Sequence, residues 1–191
     1  MGKQALRTLM KQKLDDAYSA QKLEELSTQL SKNLKQLVSK LNSQRFTGGI
    51  KLGVYAPLKF EPIWWHEFDD ESVGEYLLVH MGEKMTLSYH PVELSSIKEN
   101  HHELELCDNT REKEDTPNVL LIPGMAFTKY GERLGKGKAY FDNFLKDFEG
   151  VRIGVFFSFQ EALDVYGEAH DEEMDYIVTD KDIFTNKGKI K

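Results

Sequence analysis

The chain has one cysteine, Cys107, in 191 residues. That excludes an internal disulfide and any multi-cysteine metal site. No apolar run approaches the roughly 20 residues of a membrane span, and the opening MGKQALRTLMKQ has no apolar signal core. Leu6 stands where a myristoylation site after Met1-Gly2 needs Ser or Thr. Basic charge is also in deficit, with 25 Lys and Arg against 32 Asp and Glu, a net charge of -7. Nucleic acid is therefore not the expected principal partner, because affinity for it comes largely from neutralising phosphates. Repeats, low-complexity tracts and a clear linker are all missing. What remains is 40% hydrophobic and 30% charged, ordinary for a soluble globular chain. A single cytoplasmic domain spanning residues 1–191, with no membrane association and a monomeric state, is the expectation.

The periodicities alternate between helix and strand. Leu23, Leu26, Leu30, Leu34, Leu37 and Leu41 form an apolar stripe on a long helix, with Ser19 as its expected N-cap. A shorter helix before it would bury Leu6, Leu9, Met10 and Leu14. After Gly48-Gly49, strands are expected over 50–55, 75–80, 85–89, 119–122, 152–157 and 176–179, and helices over 63–68 and 140–148. The polar stretch 108–118 reads as a loop. This order gives one α/β domain, a largely parallel central sheet between helices.

Against the acidic background, one segment is out of character: PGMAFTKYGERLGKGKAYFD, Pro123 to Asp142. A strand, VLLIPG, runs into a turn where Arg133, Lys136 and Lys138 alternate with Gly135 and Gly137. Glycines let backbone N–H groups converge, a helix start adds positive potential, and cations complete an anion cradle. A solvated basic turn would have the same composition. A P-loop is excluded, because Gly131 and Gly135-Lys136 are one residue too close and no hydroxyl follows. The dinucleotide fingerprint fails for want of a third glycine.

The segment resembles a third pattern, PG-x-x-F-x-x-x-G-x-RLG-x-G-x-GYYD, the signature of the 5-formyltetrahydrofolate cyclo-ligase family. Pro123, Gly124, Phe127, Gly131, Arg133, Leu134, Gly135, Gly137, Tyr140 and Asp142 carry the match. Shorter likenesses support it. Lys3 and Arg7, at i and i+4 on one helix face, reproduce the family's opening Lys-x-x-x-Arg. Asp171, Asp175 and Thr179 reproduce a D-x-x-x-D before a final short strand, and Tyr55-Ala56-Pro57 with Glu61 resembles a strand end followed by a folate-binding glutamate.

The resemblance implies a three-layer α/β/α sandwich of the isomerase and CoA-transferase type. It also implies ATP and magnesium as cofactors and a reduced folate as substrate. ATP would phosphorylate the formyl oxygen of 5-formyltetrahydrofolate, and N10 would close the ring. Lys3, Arg7, Arg133, Leu134, Gly135, Lys136, Gly137, Lys138, Ala139, Tyr140 and Phe141 would bind the nucleotide, with Arg133 and Lys138 also catalytic. Asp142 and Asp171 would hold the metal, and Ala56, Glu61 and Tyr140 the folate. From the residues alone, Asp142 could be only a helix N-terminal charge. Glu61 could likewise be a helix charge beside Pro62, and Asp171 part of a solvated acidic turn. Core packing is the expectation for Trp64 and Trp65, and a loop role for His170.

Four positions depart from the pattern. Ala139 and Phe141 replace Gly and Tyr, Thr128 replaces the usual Asp, and Asn143 stands where Arg is common. A non-catalytic folate- or nucleotide-binding module would also keep the cradle. So would a sugar-phosphate isomerase of the wider fold group, which needs no ATP.

Overall fold

The computed structural model describes residues 2–19, 21–69, 71–100, 114–168 and 171–186. Cys107, His170 and most of the 108–118 stretch lie outside them. Two helices open the chain, α1 (Lys3–Ser19) and α2 (Leu23–Arg45). Among the described residues nine strands follow, β1 (Lys51–Val54), β2 (Glu75–Met81), β3 (Leu87–Pro91), β4 (Val119–Pro123), β5 (Ala126–Phe127), β6 (Arg133–Leu134), β7 (Val151–Val155), β8 (Tyr176–Val178) and β9 (Ile183–Thr185). Helices α3 (Leu94–Asn100) and α4 (Tyr140–Leu145) lie between them.

Seven strands form one sheet in the order β3-β2-β1-β4-β7-β8-β9. Its five central strands are parallel, and β3 and β9 run antiparallel at the edges. β5 and β6 make a separate two-stranded ribbon. The central strands are buried on both faces, which is why VLLIP of β4 is apolar throughout rather than alternating. Its residues divide by parity. Val119 and Leu121 join the core on the side of α2, whereas Leu120 and Ile122 face Leu145 of α4. The result is the expected three-layer α/β/α arrangement. Among the described residues, no helix is long and apolar enough to cross a membrane.

The elements differ from the sequence expectation in a few places. Leu30, Leu34, Leu37 and Leu41 are buried on α2. In α1, Leu9 is 37% exposed, unlike its neighbours Leu6, Met10 and Leu14. Ser19 is not the cap of α2: it is the last residue of α1, and the chain reverses at Gln21 in the left-handed region (φ 54°). Residues 63–68 are not helical either. Their backbone groups bond outward, Ile63 N–H to Ser27 Oγ (3.1 Å), Glu67 N–H to Ser31 Oγ (2.9 Å), and Trp64 O from Ser31 Oγ–H (2.7 Å). Two buried serines one turn apart on α2 thus replace the bonds that a helix would supply.

Three tyrosines are buried among the described residues, Tyr55, Tyr76 and Tyr89. Tyr55 donates to Pro62 O (2.9 Å), while Tyr89 OH has no partner among the described residues. Burial raises Tyr55 and Tyr89 above the ordinary tyrosine value, helped at Tyr55 by the charge of Glu61. Above about pH 10 the unfolded chain releases these protons while the folded chain keeps them, so stability should fall with rising pH. Urea midpoints at pH 8 and above pH 10 would measure the loss. Tyr89→Phe should reduce it without weakening the fold at neutral pH, and an unchanged alkaline loss in that variant would refute the assignment.

Candidate active site

The parallel strand order reverses direction between β1 and β4. The chain moves from β1 outward to β2 on one side, and from β4 through β7 to β8 on the other. At such a switch point the loops leaving the carboxyl ends of the two strands diverge and open a crevice. The loop after β1 carries Ala56 and Glu61, and the one after β4 carries the ribbon and the segment 135–139. The candidate residues of both loops therefore meet at one end of the sheet.

Arg133, on β6, is the most enclosed cation among the described residues. Its side chain is only 3% exposed and pairs through Nη2 with Asp142 on the first turn of α4. Nη1 lies 3.4 Å from Pro123 O at the end of β4, the guanidinium lies over the Phe141 ring (5.8 Å), and Nε has no acceptor among the described residues. Burial lowers the Arg133 pKa from its ordinary value. The charges of Asp142 and then Asp171 oppose that, so both carboxylates act on one cation. A Cβ on Gly135 would lie 3.0 Å from Nη1, so any larger residue there would press on the guanidinium.

Helix α1 approaches from the other side. Leu6 and Met10 pack against Ala126 and Leu134 of the ribbon and against Val165. That packing points Lys3 and Arg7 at the loop. Lys3 Nζ lies 2.9 Å from Asp171 Oδ2 and 3.4 Å from Glu168 Oε2. Burial lowers the Lys3 pKa, but the two carboxylates outweigh it and the net direction is upward. Arg7 Nε donates to Gly135 O (3.0 Å), and its Cζ would lie 3.6 Å from a Cβ on Gly137, whose φ is 96°. Where the resemblance places nucleotide beside Lys3 and Arg7, Lys3 here meets protein carboxylates.

The remaining candidates fall as follows. Lys136 forms an ion pair with Glu61 across the crevice, and Lys138 is exposed on the loop. Leu134 is buried under α1, so only its backbone faces the site. Tyr140 is half-buried at the start of α4, and Ala56 packs against the core. Glu61 is not a helix N-terminal charge, since no helix follows it. Its Oε2 accepts from Leu58 N–H (2.9 Å). Trp64 and Trp65 are both core residues. Beside Glu61 a groove of about 480 Å³ is lined by Tyr18, Leu23, Pro57, Leu58 and Ile63. A larger depression of about 680 Å³ lies at the opposite end of the sheet, where β4 and β7 begin, away from these groups.

Sequence reasoning missed Glu168, a further partner of Lys3, because an acidic run carries no periodicity. It also missed Ser27 and Ser31, although two polar residues at buried helical spacing within a leucine stripe were a usable signal.

Among the described residues no three His, Cys, Asp or Glu side chains converge as a metal cage. Asp142 and Asp171 both act on the Arg133 cation, and two such carboxylates are a donor set of the kind magnesium takes, with phosphate oxygens and water completing the octahedron. Helix α4 has only six residues and no side-chain cap, so the positive potential comes from the cations themselves. Its N-cap, Ala139, is left-handed (φ 53°), a cost of about 1–2 kcal/mol that glycine avoids. Ala139→Gly should therefore stabilise the fold by about 0.5–1 kcal/mol in denaturant unfolding, after allowing for the greater freedom of glycine in the unfolded chain. A destabilised variant would show instead that the methyl makes a needed contact.

Over 75 residues the chain is 37% identical to a 5-formyltetrahydrofolate cyclo-ligase of Saccharomyces cerevisiae, a match covering 35% of this chain and 36% of that protein. Over 66 residues it is 36% identical to the cyclo-ligase of Mycoplasma pneumoniae, covering 34% and 40%. The matched stretches thus span well under half the length of these relatives. Among solved structures, a 5,10-methenyltetrahydrofolate synthetase from Mycoplasma pneumoniae superposes with a TM-score of 0.70 at 22% identity, over 95% of this chain and all of that one. The synthetase from Aquifex aeolicus superposes with a TM-score of 0.69 at 24% identity, over 100% and 96%. At these identities the likeness establishes the fold. The model of the 5-formyltetrahydrofolate cyclo-ligase family matches residues 75–180, more than half of the sequence, and the chain belongs to that family.

Proposed function

We propose that the protein converts 5-formyltetrahydrofolate to 5,10-methenyltetrahydrofolate with ATP and magnesium, as a cytoplasmic monomer. The observation that carries this reading is the gathering of Lys3, Arg7, Arg133 and Lys136 with Asp142, Asp171 and Glu61 around the diverging ends of β1 and β4. A formamide oxygen is a poor leaving group. Transfer of the γ-phosphoryl group to it turns it into phosphate. N10 then attacks the formyl carbon and loses its proton, and the C–O bond breaks to release phosphate. Such chemistry asks the protein mainly for alignment and for positive charge around the transferring group.

Each residue has a part in that task. Lys3, Arg7, Lys136 and the backbone from Leu134 to Phe141 hold the polyphosphate, with Gly137 allowing close approach. Arg133 and Lys138 stabilise the charge on the transferring phosphoryl group. Asp142 and Asp171 hold the magnesium, which when bound neutralises phosphate oxygens. Ala56 and Tyr140 border the folate, and Glu61 accepts the paired N–H donors of the pterin edge.

A near-ultraviolet assay for the methenyl product, with 5-formyltetrahydrofolate, ATP and magnesium, tests the whole reading. Nucleotide binding without product would instead favour a binding-only module, to which the strained Ala139 would be suited. Asp171→Asn should raise the magnesium needed for half-maximal rate by about tenfold, in line with a lost carboxylate ligand. An unchanged magnesium requirement would remove Asp171 from the metal site.

A further inference from the structure

The Lys136–Glu61 ion pair joins two loops assigned to different ligands. Glu61 is almost enclosed, with a side chain 9% exposed, and each carboxylate oxygen already has a partner. Oε2 accepts from Leu58 N–H (2.9 Å), and Oε1 is held by Lys136. Each oxygen keeps a further acceptor position, but with Glu61 so little exposed a planar ligand presenting paired N–H donors has to compete with the Lys136 ammonium for Oε1. Lys136, by contrast, is 40% exposed, on a turn between Gly135 and left-handed Gly137. It can swing, whereas Glu61 cannot, because its loop is fastened by Tyr55 O–H to Pro62 O and by Leu58.

We propose that Lys136 and Glu61 form a latch that makes nucleotide and folate binding cooperative. The proposal rests on the cyclo-ligase reading given above. A polyphosphate in the cradle draws Lys136 away from Glu61 and uncovers the carboxylate for the pterin. Folate arriving first displaces Lys136 and frees it for phosphate. Linkage requires the two effects to be equal. An exposed ion pair by itself contributes little, but here the nearly buried partner feels the loss of its counter-charge, so coupling of about three- to tenfold is expected, near the lower end of the usual range.

Calorimetric titration of 5-formyltetrahydrofolate, with and without a non-hydrolysable ATP analogue plus magnesium, tests this in the wild type and in Lys136→Met. In the wild type the nucleotide should tighten folate binding by about three- to tenfold. In the variant, folate should already bind with nearly the wild-type nucleotide-bound affinity, and the nucleotide should change it by less than about twofold. Both ligands binding without mutual effect in the wild type, or full coupling persisting in a variant with an unaltered unfolding transition, would overturn the latch alone. Failure of either ligand to bind the wild type would overturn the folate reading and the latch together.

Discussion

Replacing Arg133 with alanine is expected to lower kcat by about two to three orders of magnitude, the scale seen when one preorganised donor to a developing charge is removed. The Michaelis constant for folate should change by less than about threefold, because the guanidinium faces Asp142 and Gly135 rather than Glu61. Stability should also drop. Asp142, 20% exposed, would lose its partner, at a cost of about 1–3 kcal/mol, below the figure for fully buried pairs because water reaches it. Arg133→Lys separates the two effects: it restores a charge for Asp142 but not the two-pronged donor geometry. Its stability should recover more than its turnover. Steady-state kinetics with each substrate varied, alongside urea unfolding, gives the answer. Equal losses in turnover and folate affinity would make Arg133 a positioning residue only.

Trp64→Ala should bring the largest loss of stability, about 4 kcal/mol, within the range for truncating a large buried aromatic. Trp64 is fully buried, meets Trp65 and Phe68 edge to face at 5.5 and 5.7 Å, and donates from Nε1 to Tyr55 O (2.9 Å). Such a loss approaches the whole stability of a typical domain, so reduced soluble yield is part of the expected result. Trp64→Phe keeps most of the ring but loses the hydrogen bond, and should cost about 1–2 kcal/mol. Because Trp64 anchors the loop carrying Glu61, this milder variant should raise the Michaelis constant for folate while leaving that for ATP unchanged. A loss below about 2 kcal/mol for Trp64→Ala would mean that the site collapses around the cavity.

The layered arrangement could be read from sequence because its signals are periodic. The leucines of α2 mark one buried stripe, and the unbroken apolar run of β4 marks a strand covered on both faces. The six expected strands lie within two residues of those observed, since apolar runs locate a strand better than they locate its ends. Elements without such a run escaped notice. β5 and β6 have two residues each, and β9 sits at an edge where burial imposes no pattern. The segment 63–68 misled for a different reason: its aromatic spacing fits a helix, but its polar backbone is met by Ser27 and Ser31. Within the candidate site, composition singled out only the cationic turn with Arg133, Lys136 and Lys138, whereas Lys3, Arg7, Glu61, Asp142 and Asp171 entered through the family resemblance. The pairs they form, Lys136 with Glu61 and Lys3 with Asp171, depend on how distant loops converge, which no local pattern encodes.

The contact between Lys3 and Asp171 bridges 168 positions of sequence. A ribosome adding about 5–20 residues per second leaves on the order of ten to thirty seconds between the emergence of one partner and the other. Throughout that interval the first helix has no carboxylate from the far end to meet. A nascent chain of this protein therefore cannot close that contact before Asp171 has left the ribosome, and a ligand site that depends on it could not assist the folding of the segments made earlier.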